Sequence, residues 1–301
     1  MRLLSYSIDG DHGFGLLTAD RAGVIDLGCR LDAEDLGALL AGEGLDAARP
    51  FLDEPADHAM ADIVFERLLP SPGKIFCIGV NYGGRAQEYD DPADAAYPSA
   101  FVRFPPSFTG HEQPVIRPPE SEQLDYEGEI VVVIGRHPDG KAGRRIPIAD
   151  ARSHIAGLTL GNEGTIRDWV RHAKFNVTQG KNWPNTGSMG PWLVPIDEIP
   201  PFDELRIQTH VNGELRQDDS PATMKYSVEY QIHYLSTFCE LQPGDVIYTG
   251  TPTGAGARFD PPVWLAPGDV VEVSVPEIGT LRNPVAAEFD GPTDIVPPEK
   301  Q

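Results

Sequence analysis

The feature that most constrains the fold is a series of short apolar runs, separated by glycine and proline, that begins at Lys74. Runs of this length that end in turn residues are typical of buried β-strands. Few helical patterns alternate with them, which argues against a doubly wound parallel sheet. A mixed β-roll or barrel with peripheral helices is therefore predicted. The predicted strands are KIFCIGV, EIVVVIG, HIAGLTLGN, GPWLVP, RIQTHVNG, DVIYTG and DVVEVSV.

Residues 1–70 differ from the rest and are predicted to form a small N-terminal α/β domain. Three strand-like pieces (LLSYSI, GFGLLT and AGVIDLG) precede DAEDLGALLAGEG, a helical pattern with acidic residues in its first turn and a closing glycine. Pro70 and Pro72 mark the boundary, so residues 71–301 form the second domain. Within it, helices are predicted at about residues 163–173 and over SVEYQIHYLSTFCEL.

Two carboxylates stand at the entrance to the most apolar strand. Glu127 and Glu129, in the segment DYEGE, are two residues apart, so on a strand their side chains point to the same face. Two like charges beside a buried strand are costly unless water or a counter-ion neutralises them. A solvated sheet edge is one interpretation, and a divalent cation with oxygen ligands is the other. Glu163, in LGNEGTIRD, is the candidate third ligand.

Charge and composition exclude several classes of partner. The chain of 301 residues has a formal net charge of −22, which disfavours binding to nucleic acid or to an anionic membrane. No apolar run approaches the length of a membrane span, and the N-terminus turns polar too early for a secretory signal. Three separated cysteines, expected to be free thiols, indicate a cytoplasmic protein. None of the eight histidines is paired at i, i+2 or i, i+4, which disfavours a zinc site.

Eight segments follow one another between residues 74 and 285. They are KIFCIGVNYGGRAQEY, FVRFPPSFTGHEQPVIRP, LDYEGEIVVVIG, AGLTLGNEGTIRDW, QGKNWPNTGSMGPWLVP, VNGELRQDDSPATM, LQPGDVIYTGTPTGAG and GDVVEVSVPEIGTLRNPV. In this order the set resembles the fumarylacetoacetate hydrolase family, whereas the first 70 residues match only loosely. The resemblance implies a β-rich α+β fold, with a catalytic mixed β-roll of the family type, and a homodimer. It also implies one Mg²⁺ or Mn²⁺, which the 2-oxo carboxylate of a diketo acid would chelate.

The resemblance implies roles for the charged residues. Glu127, Glu129 and Glu163 would be the metal ligands, although the third ligand of the family is usually an aspartate. Glutamate is one methylene longer, which moves the carboxylate by roughly 1.5 Å. Lys181, in QGKNWPNTG, would stabilise an enolate or oxyanion as it develops.

Four further residues are assigned to the substrate by the same resemblance. Thr251, in TGTPTGAG, would bind the substrate carboxylate, where the glycines allow close approach of the backbone. Gln217 and Arg167 match polar positions near the pocket, and Tyr82 would line the same cleft.

One position departs from the family pattern. In NYGGRAQE, Arg85 stands where the family has the histidine of a water-activating histidine–glutamate pair, and arginine cannot accept a proton. Glu88 could act as the base while Arg85 binds a distal carboxylate of the substrate. Alternatively, the reaction needs no activated water, or the site binds a ligand without catalysis. His111 could supply a substitute base; otherwise it is a solvent-facing loop residue.

The resemblance implies an enzyme of aromatic-compound breakdown. We expect metal-dependent hydrolysis of a C–C bond in an acylpyruvate-type 2-oxo acid. Isomerisation or decarboxylation of a 2-oxo acid or hydroxymuconate on the same metal site is the alternative reaction, because fold does not decide chemistry. A non-catalytic binding protein and a β-rich scaffold are the alternatives from other classes. Lys181 and Thr251 argue against the binding protein, since a site without catalysis has no need of a charge stabiliser, and failure to bind Mg²⁺ or Mn²⁺ would favour the scaffold.

Overall fold

A computed structural model describes residues 1–84 and 96–289. The α-helices in this part of the chain are short: α1 (Leu36–Ala41), α2 (Val177–Lys181) and α3 (Val228–Phe238). The strands are β1 (Leu3–Ile8), β2 (Asp11–Leu17), β3 (Gly23–Asp26), β4 (His58–Ala59), β5 (Val64–Phe65), β6 (Ile75–Gly79), β7 (Ser99–Val102), β8 (Phe108–Thr109), β9 (Val115–Arg117), β10 (Leu124–Asp125), β11 (Gly128–Ile134), β12 (Ile155–Asn162), β13 (Thr165–Ile166), β14 (Gly187–Pro195), β15 (Ile207–Val211), β16 (Glu214–Asp219), β17 (Val246–Tyr248), β18 (Val270–Val275) and β19 (Gly279–Ala287).

The described strands form three sheets. The largest has twelve strands, ten of which follow the order β4-β3-β2-β1-β14-β12-β11-β17-β6-β7, while β5 pairs with β1 and β8 with β14. A five-stranded sheet has the order β16-β15-β18-β19-β9, and β10 pairs with β13. Parallel pairs (β17–β6, β14–β8 and β19–β9) stand among antiparallel ones. This mixed arrangement with peripheral helices confirms the predicted β-rich α+β fold.

The pair β11 and β12 forms the centre of the large sheet. The two strands run antiparallel from Gly128 opposite Asn162 to Ile134 opposite Ile155. Every residue of β11 is buried, because both faces of the sheet are covered. Val131 packs into one hydrophobic core and its neighbours into the other, as the two-residue period of a strand requires.

The first 70 residues supply β1 to β3 and α1, as the strand-like pieces and the helical pattern predicted, and also the short strands β4 and β5, which were not predicted. Strand β1 pairs with β14 at Leu3 opposite Leu193, so this segment extends the large sheet. Phe14 shares a hydrophobic core with Val131 and Val246 of the later strands. The domain boundary near residue 70 stays a prediction.

Of the two helices predicted in the second domain, one forms. Helix α3 begins after Ser227, whose hydroxyl accepts a hydrogen bond from the Tyr230 N–H, and it buries Ile232 and Leu235. None of the helices in the described residues is long and apolar enough to cross a membrane.

The helix predicted at about residues 163–173 is wrong. The chain there forms β13 and then a 3₁₀-helix at Asp168–Arg171. The Glu163 N–H donates to the Glu127 carbonyl at 2.8 Å, and Thr165 pairs with Asp125. These long-range backbone bonds outweigh the local helical pattern, because they continue the β11–β12 pairing past the ends of the strands.

Candidate metal centre and active site

Three buried carboxylates meet where β11 begins and β12 ends. Glu127 precedes β11, Glu129 is its second residue and Glu163 follows β12, so the pairing of Gly128 with Asn162 brings them together. One oxygen of each lies within 4.8 Å of the others. Their exposed fractions are 4%, 1% and 2%, so the interpretation as a solvated sheet edge is wrong. The structure brings together all three predicted metal ligands.

The carboxylate group fits a hard divalent cation. Burial, together with the nearby Glu163 and Glu127, raises the pKa of Glu129 well above its usual value. The buried Oε1 of Glu163 has no hydrogen-bond partner among the described residues. Carboxylate oxygens are the ligands that Mg²⁺, Mn²⁺ and Ca²⁺ prefer, and such an ion would neutralise the cluster.

Lys181 lies against two of the three carboxylates. A Cβ at Gly180 would be 2.3 Å from the Val170 Cγ2, so only glycine lets α2 pack closely enough to bring Lys181 into the site. The ammonium group donates to the Oε2 of Glu127 and, at 3.2 Å, to the carbonyl of Glu163. It is also 3.2 Å from the Oε2 of Glu163. Burial opposes the charge, but both glutamates outweigh burial and raise the pKa of Lys181.

Arg167 is held between two carboxylates. Its Nη2 donates to the Oε1 of Glu127 and its Nε to the Oδ2 of Asp125, both at 2.7 Å. The structure therefore places Arg167 against Glu127, the predicted metal ligand, and contact with substrate stays a prediction. The sequence analysis did not single out Asp125. The available signal was its spacing, because Asp125, Glu127 and Glu129 follow one another at intervals of two residues.

A second buried cation, Arg103, was also missed. Its Nη1 lies 3.9 Å from the Oε1 of Glu163 and donates to the Gly164 carbonyl at 3.1 Å. Its Nη2 donates to the hydroxyl of Thr186 at 3.2 Å, and its guanidinium stacks over the Phe108 ring. An arginine inside the apolar run FVRF was the available signal, because a buried arginine requires partners.

Gln217 and Thr251 hold the backbone of Gly128, between Glu127 and Glu129. The Oε1 of Gln217 accepts from the Gly128 N–H at 2.9 Å, and its Nε2 donates to Thr251 Oγ1 at 2.8 Å. The Thr251 hydroxyl donates in turn to the Gly128 carbonyl at 2.9 Å. The Gly250 N–H donates to Glu129 Oε2 at 2.7 Å. Direct contact of Gln217 and Thr251 with substrate stays a prediction.

The remaining candidates differ in position. Tyr82 is 3% exposed, and its hydroxyl lacks a hydrogen-bond partner within the described part of the chain. Burial and the charge of Glu129 raise the pKa of Tyr82 well above its usual value. Arg85 and Glu88 lie outside the described residues, so their roles stay predictions.

His111 is not a solvent-facing loop residue. Its side chain is 13% exposed and packs edge-on against Phe65, with the ring centroids 4.6 Å apart. The Nδ1 accepts a hydrogen bond from the Arg282 N–H at 3.1 Å, and burial lowers the pKa of His111 to about 4. These contacts serve packing against β19.

At the opposite end of the β11–β12 pair, the fold brings His137, Asp150 and His154 together, although sequence spacing gave no sign of it. The Asp139 N–H donates to the Nδ1 of His137 at 3.0 Å, so the proton of the neutral ring is on Nε2. That Nε2 faces Asp150 at 3.2 Å, and Lys141 bonds the other oxygen of Asp150 at 2.9 Å. This is a hydrogen-bonded cluster, because His137 does not present the lone pair that a metal requires.

Comparison with known proteins agrees with this fold. The family model described as "Fumarylacetoacetate (FAA) hydrolase C-terminal" matches residues 74–286. Oxaloacetate tautomerase YisK of Bacillus subtilis (strain 168) is 40% identical over 232 residues, which are 76% of this chain and 75% of that protein. Fumarylacetoacetate hydrolase from Exiguobacterium antarcticum has a TM-score of 0.78 at 32% identity, covering 96% of this chain and 100% of that one. Maleylpyruvate hydrolase from Sphingobium sp. SYK-6, in complex with manganese(II) and pyruvate, shares the fold, with a TM-score of 0.76 at 23% identity over 95% and 99% of the two chains.

Proposed function

The chain belongs to the fumarylacetoacetate hydrolase family, and from that premise we propose that it is a metal-dependent tautomerase of a small 2-oxo dicarboxylic acid such as oxaloacetate. Proteins similar to this chain include a tautomerase and hydrolases, so family membership alone leaves the reaction open. The identity of 40% to an oxaloacetate tautomerase favours the isomerase alternative over the C–C hydrolysis that we first expected. Hydrolysis is the second candidate, supported by the similarity to the Exiguobacterium enzyme.

The observation that carries the proposal is the position of Lys181 between Glu127 and Glu163. Keto–enol interconversion moves one proton from the carbon beside the 2-oxo group and returns one to the oxygen, with no other bond broken. The reaction needs a fixed positive charge near that oxygen, which the buried ammonium group of Lys181 would supply. It needs no water-activating histidine, which agrees with Arg85 at that position.

The charge balance of the site supports an anionic substrate. Mg²⁺ or Mn²⁺ held by Glu127, Glu129 and Glu163 would polarise the 2-oxo group as a Lewis acid. Counted as ionised, four buried carboxylates face three cations within the described chain, and one divalent ion turns a net charge of −1 into +1. This local reversal lets a protein with a formal net charge of −22 attract an organic acid. The charged groups are Asp125, Glu127, Glu129, Glu163, Arg103, Arg167 and Lys181.

The proposal is tested by following the enol form of oxaloacetate by ultraviolet absorbance, with added Mg²⁺ or Mn²⁺. We expect faster enol–keto interconversion, its loss on chelation of the metal, and no release of pyruvate or carbon dioxide. The same assay with acetylpyruvate, fumarylpyruvate and maleylpyruvate tests the second candidate. If pyruvate and a second acid are the products, the protein is a hydrolase and not a tautomerase. Release of carbon dioxide would indicate a decarboxylase.

The raised pKa of Glu129 predicts how metal binding depends on pH. In the metal-free protein this carboxyl holds its proton more tightly when folded, so its stabilising contribution is lost as the pH rises through the folded-state pKa. A metal requires the ionised carboxylate and binds only the folded chain. We therefore expect Mg²⁺ to raise the Tm more at about pH 8 than at about pH 6, measured by calorimetry. Equal increases in Tm at the two pH values would contradict this prediction.

A further inference from the structure

We propose that Asp125 is a positioning residue that couples metal binding at Glu127 to the order of the glycine-rich loop 249–258. The inference deepens the proposed function, on which it rests for a divalent cation at the three glutamates. Thr251, the residue expected to bind the substrate carboxylate, belongs to this loop. Asp125 would therefore connect Glu127, which would hold the metal, with the loop that carries Thr251, which would hold the substrate carboxylate.

The first step is the environment of Asp125 itself. The residue is fully buried, with 0% of its surface exposed. Its Oδ1 accepts from the Gly256 N–H at 2.7 Å and the Tyr126 N–H at 2.9 Å. Its Oδ2 accepts from the Ala257 N–H at 3.1 Å and from Arg167 Nε at 2.7 Å. Four donors thus hold a carboxylate that would otherwise be costly to bury, and two of them belong to the loop.

Gly256 lies where the loop is close to both Asp125 and Val263. A Cβ at Gly256 would lie 2.8 Å from the Oδ1 of Asp125 and 2.0 Å from the Val263 carbonyl oxygen. A larger residue would push the loop away from the carboxylate.

The second step is the link from Asp125 to the metal ligand. Asp125 is the last residue of β10, and Glu127 lies two residues later, directly before β11. Arg167 spans them, bonding each carboxylate at 2.7 Å through a different nitrogen of its planar guanidinium. A divalent ion at Glu127 repels Arg167, and the charge of Asp125 is what retains the guanidinium there.

The third step is the other end of the loop. The Gly250 N–H donates to Glu129 at 2.7 Å, and the Thr251 hydroxyl donates to the Gly128 carbonyl at 2.9 Å. The loop therefore contacts the segment DYEGE at both ends, through Glu129 on one side and Asp125 on the other. A metal on Glu127 and Glu129 would hold the Glu129 attachment directly and the Asp125 attachment through Arg167, so metal binding should order the loop.

Hydrogen exchange of the full-length protein, followed by mass spectrometry with and without Mn²⁺, tests this coupling without any turnover. In the wild type we expect Mn²⁺ to slow exchange of the backbone amides of residues 254–258 by at least about fivefold. In Asp125→Asn, exchange there should be faster and unaffected by Mn²⁺. Calorimetric titration should give a Kd for Mn²⁺ that is weaker by about 10- to 100-fold. Persistence of wild-type protection by Mn²⁺ in Asp125→Asn would overturn the proposal.

Two further variants keep the test decisive if Asp125→Asn does not fold. Arg167→Met leaves the bonds of Asp125 to the loop but removes the link to Glu127, so residues 254–258 should stay protected without responding to Mn²⁺. A response equal to that of the wild type would contradict the coupling. Asp168→Asn is the control, because it removes an equal charge from an exposed neighbour that accepts from the Ser121 hydroxyl at 2.6 Å. It should behave as the wild type.

The outcomes also separate this inference from the proposed function. A wild-type protein that shows protection by Mn²⁺ but does not tautomerise oxaloacetate would overturn the function and retain the coupling. A protein that tautomerises oxaloacetate without any protection of residues 254–258 by Mn²⁺ would overturn the coupling alone.

Discussion

Glu127→Gln is expected to weaken Mn²⁺ binding by at least about 100-fold and to abolish metal-dependent turnover. Glutamine has nearly the same shape, so the change removes one ligand charge without opening a cavity. The amide also leaves Lys181 and Arg167 without the carboxylate that both contact. Calorimetric titration with Mn²⁺ measures the first effect, and the oxaloacetate assay measures the second.

The matched control for this variant is Glu112→Gln. The side chain of Glu112 is 56% exposed, and the change removes an equal charge away from the cluster. It should leave both Mn²⁺ binding and turnover within about twofold of the wild type. Normal metal dependence in Glu127→Gln would show that the three glutamates are not the metal site.

Lys181→Met is expected to lower kcat by about 10²- to 10³-fold while Mn²⁺ binding is retained or tightened. The turnover falls because the variant lacks the fixed positive charge beside the developing enolate. Binding does not fall, because the ammonium group competes with the metal for the oxygens of Glu127 and Glu163. Removal of that charge leaves the buried carboxylates uncompensated, so the metal-free variant should also have a lower Tm, which Mn²⁺ restores.

The comparison variant is Lys141→Met, because Lys141 is 51% exposed and pairs with Asp150 at the far end of the β11–β12 pair. It should change neither kcat nor Mn²⁺ affinity. A parallel loss of metal binding and turnover in Lys181→Met would assign the lysine to the structure of the site. Unchanged turnover would show that Lys181 takes no part in the reaction.

Local patterns predicted the strands β1 to β3, β6, β11, β12, β14, β15, β17 and β18 and the three carboxylates that lie together, but they did not predict β16 or the nine-residue β19. The two-residue period of a strand places Glu127 and Glu129 on one face, and the position of Glu163 after a second apolar run made it the third candidate. The apolar run after Glu129 indicated a strand buried on both faces. The family resemblance supplied Lys181, which the structure places against two of these carboxylates.

Contacts between distant segments could not be predicted in the same way. The predicted helix at about residues 163–173 has a local helical pattern, but its backbone bonds to residues near 125, which no window of that length contains. In the sequence, Asp125 and Arg103 are isolated charged residues, because their partners lie in distant segments that only the fold brings close. The proximity of His137 and His154 depends on the antiparallel pairing of β11 with β12, so their spacing in sequence is uninformative.

The order of strands in the large sheet has a consequence for synthesis of the chain on the ribosome. Strand β17 lies between β6 and β11, although it emerges after both of them. A nascent chain that already contains the three glutamates and Lys181 therefore has a gap in its central sheet, with two strand edges open to wrong pairing. Such non-local pairing makes folding slow. Loop 249–258 follows β17 directly, so insertion of that one strand completes the sheet and brings the loop to the site. A chain that ends before β17 therefore has neither a complete central sheet nor the loop.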